Sequence, residues 1–521
     1  MGNLGAPAQL HDLDDVAART PLLELSSKFG NDKKKILYVT SEFADLVKIG
    51  GLGDVSAALP RALSAHHDIR VLIPGYPQVL ASGNPIRIIG RVAGHAALPA
   101  CRIGRMDLSD GLIVYVILCP VLYEREGSPY TNEENRDWPD NHIRFARLGL
   151  AAAEIAAGNA GMSWRPELVH ANDWPSGLTP AYMAWRGLRT PSVFTIHNLA
   201  YQGLCAPHCS PELGLPPEAL NGAAANMEFY GKLSYMKAGI AYASHITTVS
   251  QTYAREITTP SFGCGLEGLL RRAVAEGRLS GIVNGIDASW DPAVDPHLVE
   301  GFSAQHWSGK RANAAYVEGF LGLQAGPGPL FAVVSRLVEQ KGIDLTLEVA
   351  EAIVEAGGRL AVIGRGEPAL EATLSALAQR HCGRIGVHIG FNETDARRIF
   401  AASDFLLMPS RFEPCGLSQM YAQRFGSLPI ARRTGGLADS IEDGVSGFLF
   451  QEPDRSSYLQ AIQRAFQVFQ HPELLNAMRC RAMASPRYWH QAAQPYDQLY
   501  RDLTLRHSGL EPTRLQAGGA A

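Results

Sequence analysis

The run ILYVTSEFADLVKIGGLGDV, residues 36–55, decides the fold. Its first five residues are apolar, β-branched or aromatic, a composition typical of a buried strand. A glycine-bearing loop follows, and a helical pattern then covers residues 55–64. A strand, a glycine loop and a helix in this order open a doubly wound sheet. The sequence therefore predicts an α/β protein.

Further apolar strands, separated by helical stretches, recur in two series. Alternation of strand and helix predicts a parallel sheet covered on both faces. Because 521 residues exceed what one hydrophobic core usually organises, we expect two doubly wound domains that face each other across a cleft. The first series comprises residues 69–74, 112–119, 168–173, 192–198, 245–250 and 281–287; the second comprises residues 330–337, 359–366, 384–391, 404–412 and 428–433.

Shifts in composition suggest where the domains begin and end. A mixed polar and apolar segment precedes the first strand, and a stretch rich in Pro, Gly, Trp and Asp separates the two series. The predicted segments are a flexible N-terminal extension (1–33), a first domain (34–290), an interdomain crossing (291–328), a second domain (329–490), a C-terminal helix (491–507) and a tail (508–521).

Composition excludes several classes of protein. Hydrophobic residues make up 46% and charged residues 19%, and 47 basic against 51 acidic residues give a net charge of −4. We therefore expect a globular protein with no nucleic-acid partner. The longest apolar stretch, residues 111–119, is far shorter than the roughly 20 residues that span a bilayer, so we expect no membrane partner.

The cysteines indicate a compartment and raise the question of a metal. Eight cysteines without CxxC pairs indicate a reducing cytoplasm. Cys205, His208 and Cys209 lie close together in sequence, but no second cluster of ligands accompanies them. Zinc sites combine ligands from two such clusters, so we expect no metal here.

A first candidate site is the loop KIGGLGD, residues 48–54, between the first strand and the first helix. Its glycines allow backbone N–H groups to approach a ligand closely, and the helix start adds partial positive charge. Lys48 adds a full charge, a combination that suits a phosphate. The loop matches neither the P-loop nor G-x-G-x-x-G. A tight turn with a solvated lysine is the alternative.

Two cations follow the first strand of the second domain. Arg336 and Lys341 lie five residues apart across a predicted strand-to-helix turn, so both can point at one anion. Fixed cations and helix-terminal amides would stabilise the charge that develops on a leaving nucleotide diphosphate. A salt bridge of these cations with Glu339 is the alternative.

A third motif, SRFEPCGL, occupies residues 410–417 at another strand end. Glu413 lies at the mouth of the helix predicted to begin near Gly416. Its carboxylate could accept hydrogen bonds from sugar hydroxyls or oppose positive charge at an anomeric carbon. A helix-capping acid is the alternative. Cys415 could be a low-pKa thiol at a helix start, but we favour a packed or backbone role because no His is adjacent.

Three more strand ends carry polar or glycine residues. Thr434, Gly435 and Gly436 form a second Gly-Gly loop suited to another phosphate oxygen. In the first domain, HANDW (170–174) and TIHN (195–198) place Asp173 and His197 after apolar strands. A single strand-end His is more often structural than catalytic, and two such ends in succession favour a site modestly.

Together these motifs resemble the bacterial glycogen synthases and plant starch synthases. The resemblance covers residues 35–503, and its motifs are specific in length and order. The matching segments are KIGGLGDV (48–55), SRLVEQKG (335–342), SRFEPCGLSQMY (410–421) and RRTGGLADSIEDG (432–444).

The resemblance implies a fold and an activity. The fold is GT-B, two Rossmann-like domains closing on the donor, with a C-terminal helix that returns to the first domain. The activity is retaining transfer of glucose from ADP-glucose to the non-reducing 4-hydroxyl end of an α-1,4-glucan such as glycogen, with release of ADP and no cofactor or metal. The alternatives are a transferase that uses UDP-glucose or forms a maltose phosphate, and a non-catalytic glucan-binding homologue. A glucan phosphorylase is a third, but it needs a lysine for pyridoxal phosphate, and no motif supports one.

The resemblance also assigns residue roles by position. Asp173 and His197 would flank the transferring sugar from the first domain. The donor would contact the second domain and the first glycine loop through Lys48, Gly50 and Gly51 (phosphates), Arg336 and Lys341 (leaving diphosphate), Glu413 and the amides of Cys415, Gly416 and Leu417 (glucose), Phe391 (adenine stacking), and the loop Thr434, Gly435 and Gly436.

The sequence departs from the family pattern at a few of these positions. Asn172 replaces a His of the usual H-x-H-D-W, while the Asp is kept. Phe391 replaces a Tyr, so stacking is kept and a hydroxyl contact is lost. Tyr421 stands where many other retaining GT-B enzymes have a second Glu, as is usual for the synthases.

Overall fold

The computed structural model describes residues 33–220 and 227–507. The predicted N-terminal extension, apart from Lys33, and the predicted tail lie outside these ranges. Within them, no helix is long and apolar enough to cross a membrane.

A nine-stranded sheet forms the centre of the first lobe. Its strand order is β12-β11-β7-β6-β1-β2-β5-β4-β3, and the seven strands from β12 to β5 run parallel. These strands are β1 (Lys34–Val39), β2 (His67–Pro74), β3 (Ile86–Val92), β4 (Cys101–Asp107), β5 (Ile113–Leu118), β6 (Leu168–Asn172), β7 (Ser192–Ile196), β11 (His245–Thr248) and β12 (Leu279–Gly281). A small antiparallel sheet is added by β8 (Leu204–Cys205), β9 (Glu228–Phe229) and β10 (Lys232–Ser234).

The second lobe contains a six-stranded parallel sheet of order β15-β14-β13-β16-β17-β18. Its strands are β13 (Leu330–Val334), β14 (Arg359–Gly364), β15 (Ile385–Ile389), β16 (Phe405–Met408), β17 (Leu428–Arg432) and β18 (Phe448–Phe450). All residues of β13 and β14 are buried, because helices cover both faces of the sheet.

Helices connect the strands and cover the sheets. Short 3₁₀ turns occupy Trp174–Ser176, Pro207–Cys209, Pro217–Ala219 and Glu339–Lys341. The helices of the first lobe are α1 (Gly51–Leu63), α2 (Pro77–Leu80), α3 (Pro120–Tyr123), α4 (Asn141–Ala157), α5 (Leu178–Trp185), α6 (Tyr235–Tyr242), α7 (Gln251–Glu256) and α8 (Glu267–Ala275). Those that follow are α9 (Ser308–Leu321), α10 (Ile343–Glu355), α11 (Pro368–Arg380), α12 (Glu393–Ala402), α13 (Ser418–Arg424), α14 (Gly435–Ser440), α15 (Arg455–Phe469), α16 (Pro472–Ala484), α17 (Trp489–Ala492) and α18 (Gln494–His507).

One predicted strand is largely wrong. Of residues 281–287, only Gly281 belongs to a strand, and the chain beyond it leaves the sheet. There the backbone N–H of Ile286 donates to the carbonyl of Arg487, at 2.8 Å. A Cβ at Gly285 would lie 2.7 Å from the backbone N of Trp489. The apolar run therefore pairs with a returning segment of chain rather than with the sheet.

Two segments pack against the lobe that does not precede them in sequence. The crossing, residues 291–328, packs on the second lobe, and α18 packs on the first. Within residues 291–328, Phe302 and Val317 are buried in a core of the second lobe. In α18, Tyr500 and Leu503 belong to the core of the first lobe. The Tyr500 hydroxyl forms a 2.6 Å hydrogen bond with Nδ1 of His170, at the centre of the first sheet.

Candidate active site

The second lobe places a buried carboxylate beyond β16. Glu413 is only 4% exposed. Its Oε2 accepts a 2.5 Å hydrogen bond from Nζ of Lys341 and a 3.1 Å bond from the hydroxyl of Ser410. The alternative pairing of Lys341 with Glu339 is wrong, since Glu339 lies 3.7 Å from Arg411 instead. A cation and a carboxylate predicted from separate motifs therefore form one pair.

The second Gly-Gly loop packs against the backbone of the segment that carries this carboxylate. The N–H of Gly436 donates to the carbonyl of Glu413, at 3.0 Å. A Cβ at Gly435 would lie 1.8 Å from the same carbonyl oxygen, and one at Gly436 would lie 2.1 Å from the carbonyl of Cys415. These glycines are required because two backbones touch here.

The first lobe already supplies an anion to this loop. Glu256, the last residue of α7, accepts hydrogen bonds from the N–H of Gly435, at 3.1 Å, and from the hydroxyl of Thr434, at 2.9 Å. Burial raises the pKa of Glu256, and the two hydrogen bonds oppose that rise. In this structure Thr434 and the Gly435 amide are therefore bound to the facing lobe. A donor phosphate could reach that amide only if Glu256 moved.

Arg336 lies in the cleft between the lobes. Its guanidinium is exposed and donates to the hydroxyl of Tyr201, in the first lobe, at 3.1 Å and to Oε1 of Gln340 at 3.2 Å. Within the described ranges Arg336 pairs with no carboxylate. Its positive charge is therefore available to a ligand.

The first glycine loop faces the same cleft. A Cβ at Gly51 would lie 3.8 Å from Cδ1 of Leu417 in the second lobe. Gly50 precedes α1 with φ of −149°, an ordinary extended conformation, and a Cβ there would meet nothing within 4 Å. The loop is therefore open to a ligand at Gly50.

Two acids partly neutralise this loop. Oε2 of Glu42 accepts hydrogen bonds from the N–H groups of Ile49, at 2.8 Å, and Gly50, at 2.9 Å. Nζ of Lys48 lies 2.7 Å from Oδ1 of Asp54. Burial raises the pKa of Asp54 more than Lys48 lowers it. A phosphate would therefore compete with Asp54 for Lys48.

Asp173 stands in a strained backbone conformation beyond β6. Its φ of 57° with ψ of 179° is a region that residues other than glycine rarely adopt. Its Oδ1 accepts hydrogen bonds from the N–H groups of His197, at 3.1 Å, and Asn198, at 3.4 Å. Burial raises the pKa of Asp173 to about 7, although these bonds oppose the rise. Strain and a shifted pKa together are features of functional sites.

His197 follows β7 and contacts Asn172, which stands where the family pattern has a His. Its Nε2 forms a 3.2 Å hydrogen bond with Oδ1 of Asn172. Desolvation lowers the pKa of His197 to about 3, so the ring is neutral at pH 7. The neighbouring His170 is fully buried between Tyr500 and Thr195, which makes it a structural residue.

The remaining predicted residues occupy the second-lobe wall. Burial raises the pKa of the Cys415 thiol to about 12, so a low-pKa thiol is wrong and the packed role is favoured. Gly416 has φ of 71°, the left-handed conformation that favours glycine. Phe391 follows β15 with 62% of its surface exposed, so one face of its ring is free to stack on a ligand.

Four residues of this cleft are not among the predicted site residues: Glu42, Asn172, Tyr201 and Glu256. Glu42 follows the end of β1, so its place after a strand in a doubly wound sheet was a usable signal. Asn172 ends β6 inside the predicted strand-end motif HANDW, so its place was also a usable signal. Tyr201 and Glu256 matter through contacts with distant segments, which no local pattern indicates.

Two doubly wound lobes, with strand-end loops that meet in one cleft, define a GT-B glycosyltransferase. Residues 35–272 match the family model of the starch synthase catalytic domain, and residues 328–467 match that of the group 1 glycosyl transferases. The chain belongs to the glycogen synthase and starch synthase family of hexosyltransferases.

Close relatives support this assignment along almost the whole chain. A glycogen synthase of Pseudomonas fluorescens strain Pf-5 is 68% identical over 478 residues, which cover 92% of this chain and 91% of the relative. The glycogen synthase of Pseudomonas aeruginosa strain PAO1 is 65% identical over 471 residues, covering 90% and 91%.

Solved structures confirm the fold class. The catalytic domain of starch synthase IV from Arabidopsis thaliana, bound to ADP and acarbose, has a TM-score of 0.79 and 30% identity, covering 91% of this chain and 100% of that one. A sucrose-phosphate synthase from Thermosynechococcus elongatus has a TM-score of 0.56 at 18% identity over 91% of this chain and 100% of that one, a likeness of fold alone.

Proposed function

We propose that this chain transfers glucose from ADP-glucose to the non-reducing 4-hydroxyl end of an α-1,4-glucan such as glycogen, with retention of configuration and release of ADP. The observation that carries the proposal is the Lys341–Glu413 pair, 2.5 Å apart, beside the exposed guanidinium of Arg336. Glycogen synthase relatives and a starch synthase that binds ADP and acarbose support the donor and the acceptor.

The two cations act on the leaving group. As the bond between C1 and the phosphate oxygen lengthens, negative charge grows on the distal phosphate. Arg336 and Lys341 are fixed donors that stabilise this charge without reorganising, an effect worth about 3 kcal/mol for one good donor. Gly51 brings a further N–H group from the facing lobe, and Gly50 brings another once its N–H leaves Glu42. Phe391 stacks on the adenine and orients the nucleotide.

Glu413 acts on the sugar. Its Oε2 is bound to Lys341 and Ser410, whereas Oε1 accepts no hydrogen bond from the described part of the chain. Oε1 is therefore free to accept from a glucose hydroxyl. The amides of Cys415, Gly416 and Leu417 bind the same sugar ring. The negative charge of the carboxylate also stabilises the positive charge that develops at C1.

The first lobe contributes Asp173 and His197 from the opposite side. Asp173 holds the backbone N–H groups of His197 and Asn198, so it fixes this wall of the site. His197 is neutral and brings no charge that would repel the oxocarbenium-like centre. The acceptor 4-hydroxyl then attacks from the face that the phosphate leaves, and its proton goes to that phosphate. No covalent nucleophile of the enzyme is needed, and closure of the lobes excludes water.

The test is incorporation of labelled glucose into glycogen, with ADP-glucose and UDP-glucose supplied separately and no metal added. We expect polymer growth from ADP-glucose that is abolished in Arg336→Ala. Arg380→Ala is the matched control and should retain full activity, because Arg380, at the end of α11, forms only an exposed ion pair with Glu351 of α10.

Each other outcome favours a different function. Growth from UDP-glucose alone would change the donor, and a maltose phosphate product would change the acceptor to glucose 1-phosphate. A folded protein that incorporates no glucose from either donor would contradict the proposal and favour a glucan-binding homologue.

A further inference from the structure

A second cluster of potential ligands lies outside the cleft, in the first lobe. His142, Cys209 and Glu212 each direct one ligand atom into a common space, and these atoms all lie within 4.8 Å of one another. Nε2 of His142 lies 3.0 Å from Oε2 of Glu212. The glucosyl transfer proposed above uses none of these three residues.

Backbone contacts bring the three residues together independently of their side chains. His142 is in the first turn of α4, and the hydroxyl of Tyr235 donates to its carbonyl at 2.5 Å. Cys209 ends a 3₁₀ turn, and its carbonyl accepts from the N–H of Leu213 at 3.1 Å. The carbonyl of Glu212 accepts from the N–H of Ala97 at 2.9 Å. The cluster therefore joins two segments of the chain, the start of α4 and residues 209–212, each held by its own backbone contacts.

The cluster differs from the trio that the sequence suggests. Cys205, four residues before Cys209, is not among the residues whose ligand atoms all lie within 4.8 Å of one another. His208, which lies between the two cysteines in sequence, is exposed and is not part of the cluster. The structure thus replaces the sequence trio of Cys205, His208 and Cys209 by a set that includes His142 and Glu212.

We propose that His142, Cys209 and Glu212 bind one Zn²⁺ ion, with a water molecule in the fourth position. Thiolate, imidazole and carboxylate are the ligands of protein zinc sites, which are tetrahedral when structural. Bonds of about 2.1 Å at a tetrahedral angle place nitrogen and oxygen ligands about 3.4 Å apart. The observed 3.0 Å between His142 and Glu212 requires only a small adjustment.

The role of this ion is structural. Cys209 is buried, whereas the side chain of Glu212 is 48% exposed, so the buried thiol anchors the ion and the exposed side admits the water ligand. The ion would tie the start of α4 to the turn that follows β8. Next to His142, the Asn141 side chain donates to the carbonyl of Tyr130 at 2.8 Å, so the same helix start also fixes a neighbouring loop.

The test uses the full chain, reduced and stripped of metal with a chelator. Zn²⁺ is titrated in competition with a chromogenic chelator, and Co²⁺ is titrated as a spectroscopic probe. We expect about one equivalent of Zn²⁺ per chain, a thiolate-to-cobalt charge-transfer band, and a rise in melting temperature on zinc binding. In Cys209→Ser we expect the zinc affinity to fall roughly 100-fold or more and the charge-transfer band to weaken. Cys264→Ser, an exposed cysteine outside the cluster, is the matched control and should bind zinc normally.

His142→Asn and Glu212→Gln provide independent variants if Cys209→Ser fails to fold. Each removes one ligand, so we expect weaker zinc binding with the cobalt band retained. The proposal is overturned if the reduced wild-type chain binds no zinc. It is also overturned if zinc affinity is unchanged in all folded ligand variants. A third contrary result is Co²⁺ binding without any thiolate-to-cobalt charge-transfer band.

Discussion

Lys341→Ala tests the leaving-group site most directly. Nζ of Lys341 lies 2.5 Å from Glu413, and the lysine side chain is only 17% exposed, so water would replace its charge poorly. Loss of one preorganised donor costs about 3 kcal/mol of transition-state stabilisation, which corresponds to roughly 10²-fold in kcat. The freed charge of Glu413 would also repel the developing phosphate charge. We therefore expect a fall in kcat of about 10²-fold or more.

The assay measures initial rates of ADP release with glycogen and saturating ADP-glucose. Arg411→Ala is the matched control, because its guanidinium is bound to Asp344 at 2.8 and 2.6 Å instead of to the cleft carboxylate. Thermal unfolding of each variant separates a loss of catalysis from a loss of fold. A folded Lys341→Ala enzyme with kcat within about threefold of wild type would refute the assigned role and the reasoning behind it.

Three further predictions address other parts of the molecule. Gly50→Ala should raise KM for ADP-glucose but leave the melting temperature unchanged, because a Cβ at this position meets nothing within 4 Å. Gly435→Ala, in contrast, should destabilise the fold, because its Cβ would lie 1.8 Å from a carbonyl oxygen. Asp173 has a folded pKa of about 7 against an ordinary 3.8, so its contribution to stability is present below about pH 4 and is lost as pH rises through 7. Asp173→Asn should therefore flatten the free energy of unfolding over that range in denaturant titrations. Tyr500→Phe should lower the free energy of unfolding by about 1–2 kcal/mol in urea titrations, because it leaves Nδ1 of buried His170 without its partner.

Clear results would contradict each of them. An unchanged KM in Gly50→Ala would place the donor phosphates elsewhere. Equal pH dependence of stability in wild type and Asp173→Asn would mean that the carboxyl is ionised in the folded protein at pH 5. Unchanged stability of Tyr500→Phe would mean that water satisfies His170.

Much of the fold was predictable from unbroken apolar runs. Strands β13, β14, β16 and β17 are buried almost throughout, so their sequences are mostly apolar and are easily recognised. In contrast, β3 and β4 carry arginines and are partly exposed, and neither is among the predicted strands. The GT-B fold and the synthase family, both predicted from motif order, are confirmed by the comparisons.

The candidate site was predictable only in part. Local motifs identify Lys341 and Glu413 because each lies at a strand end with an evident chemical use. They cannot identify Glu256, because its bond to Gly435 depends on how the two lobes meet. The assigned roles of all site residues in donor and sugar binding stay predictions until the kinetic experiments are done.

The position of α18 has a consequence for biogenesis. Tyr496, Tyr500 and Leu503 complete the core of the first lobe, although they are translated after the whole of the second lobe. The core of the lobe that emerges first from the ribosome is therefore completed only after the second lobe and α18 have been synthesised. During synthesis, the apolar surface around His170 and Tyr38 stays uncovered, and it is then that this chain most needs protection from aggregation.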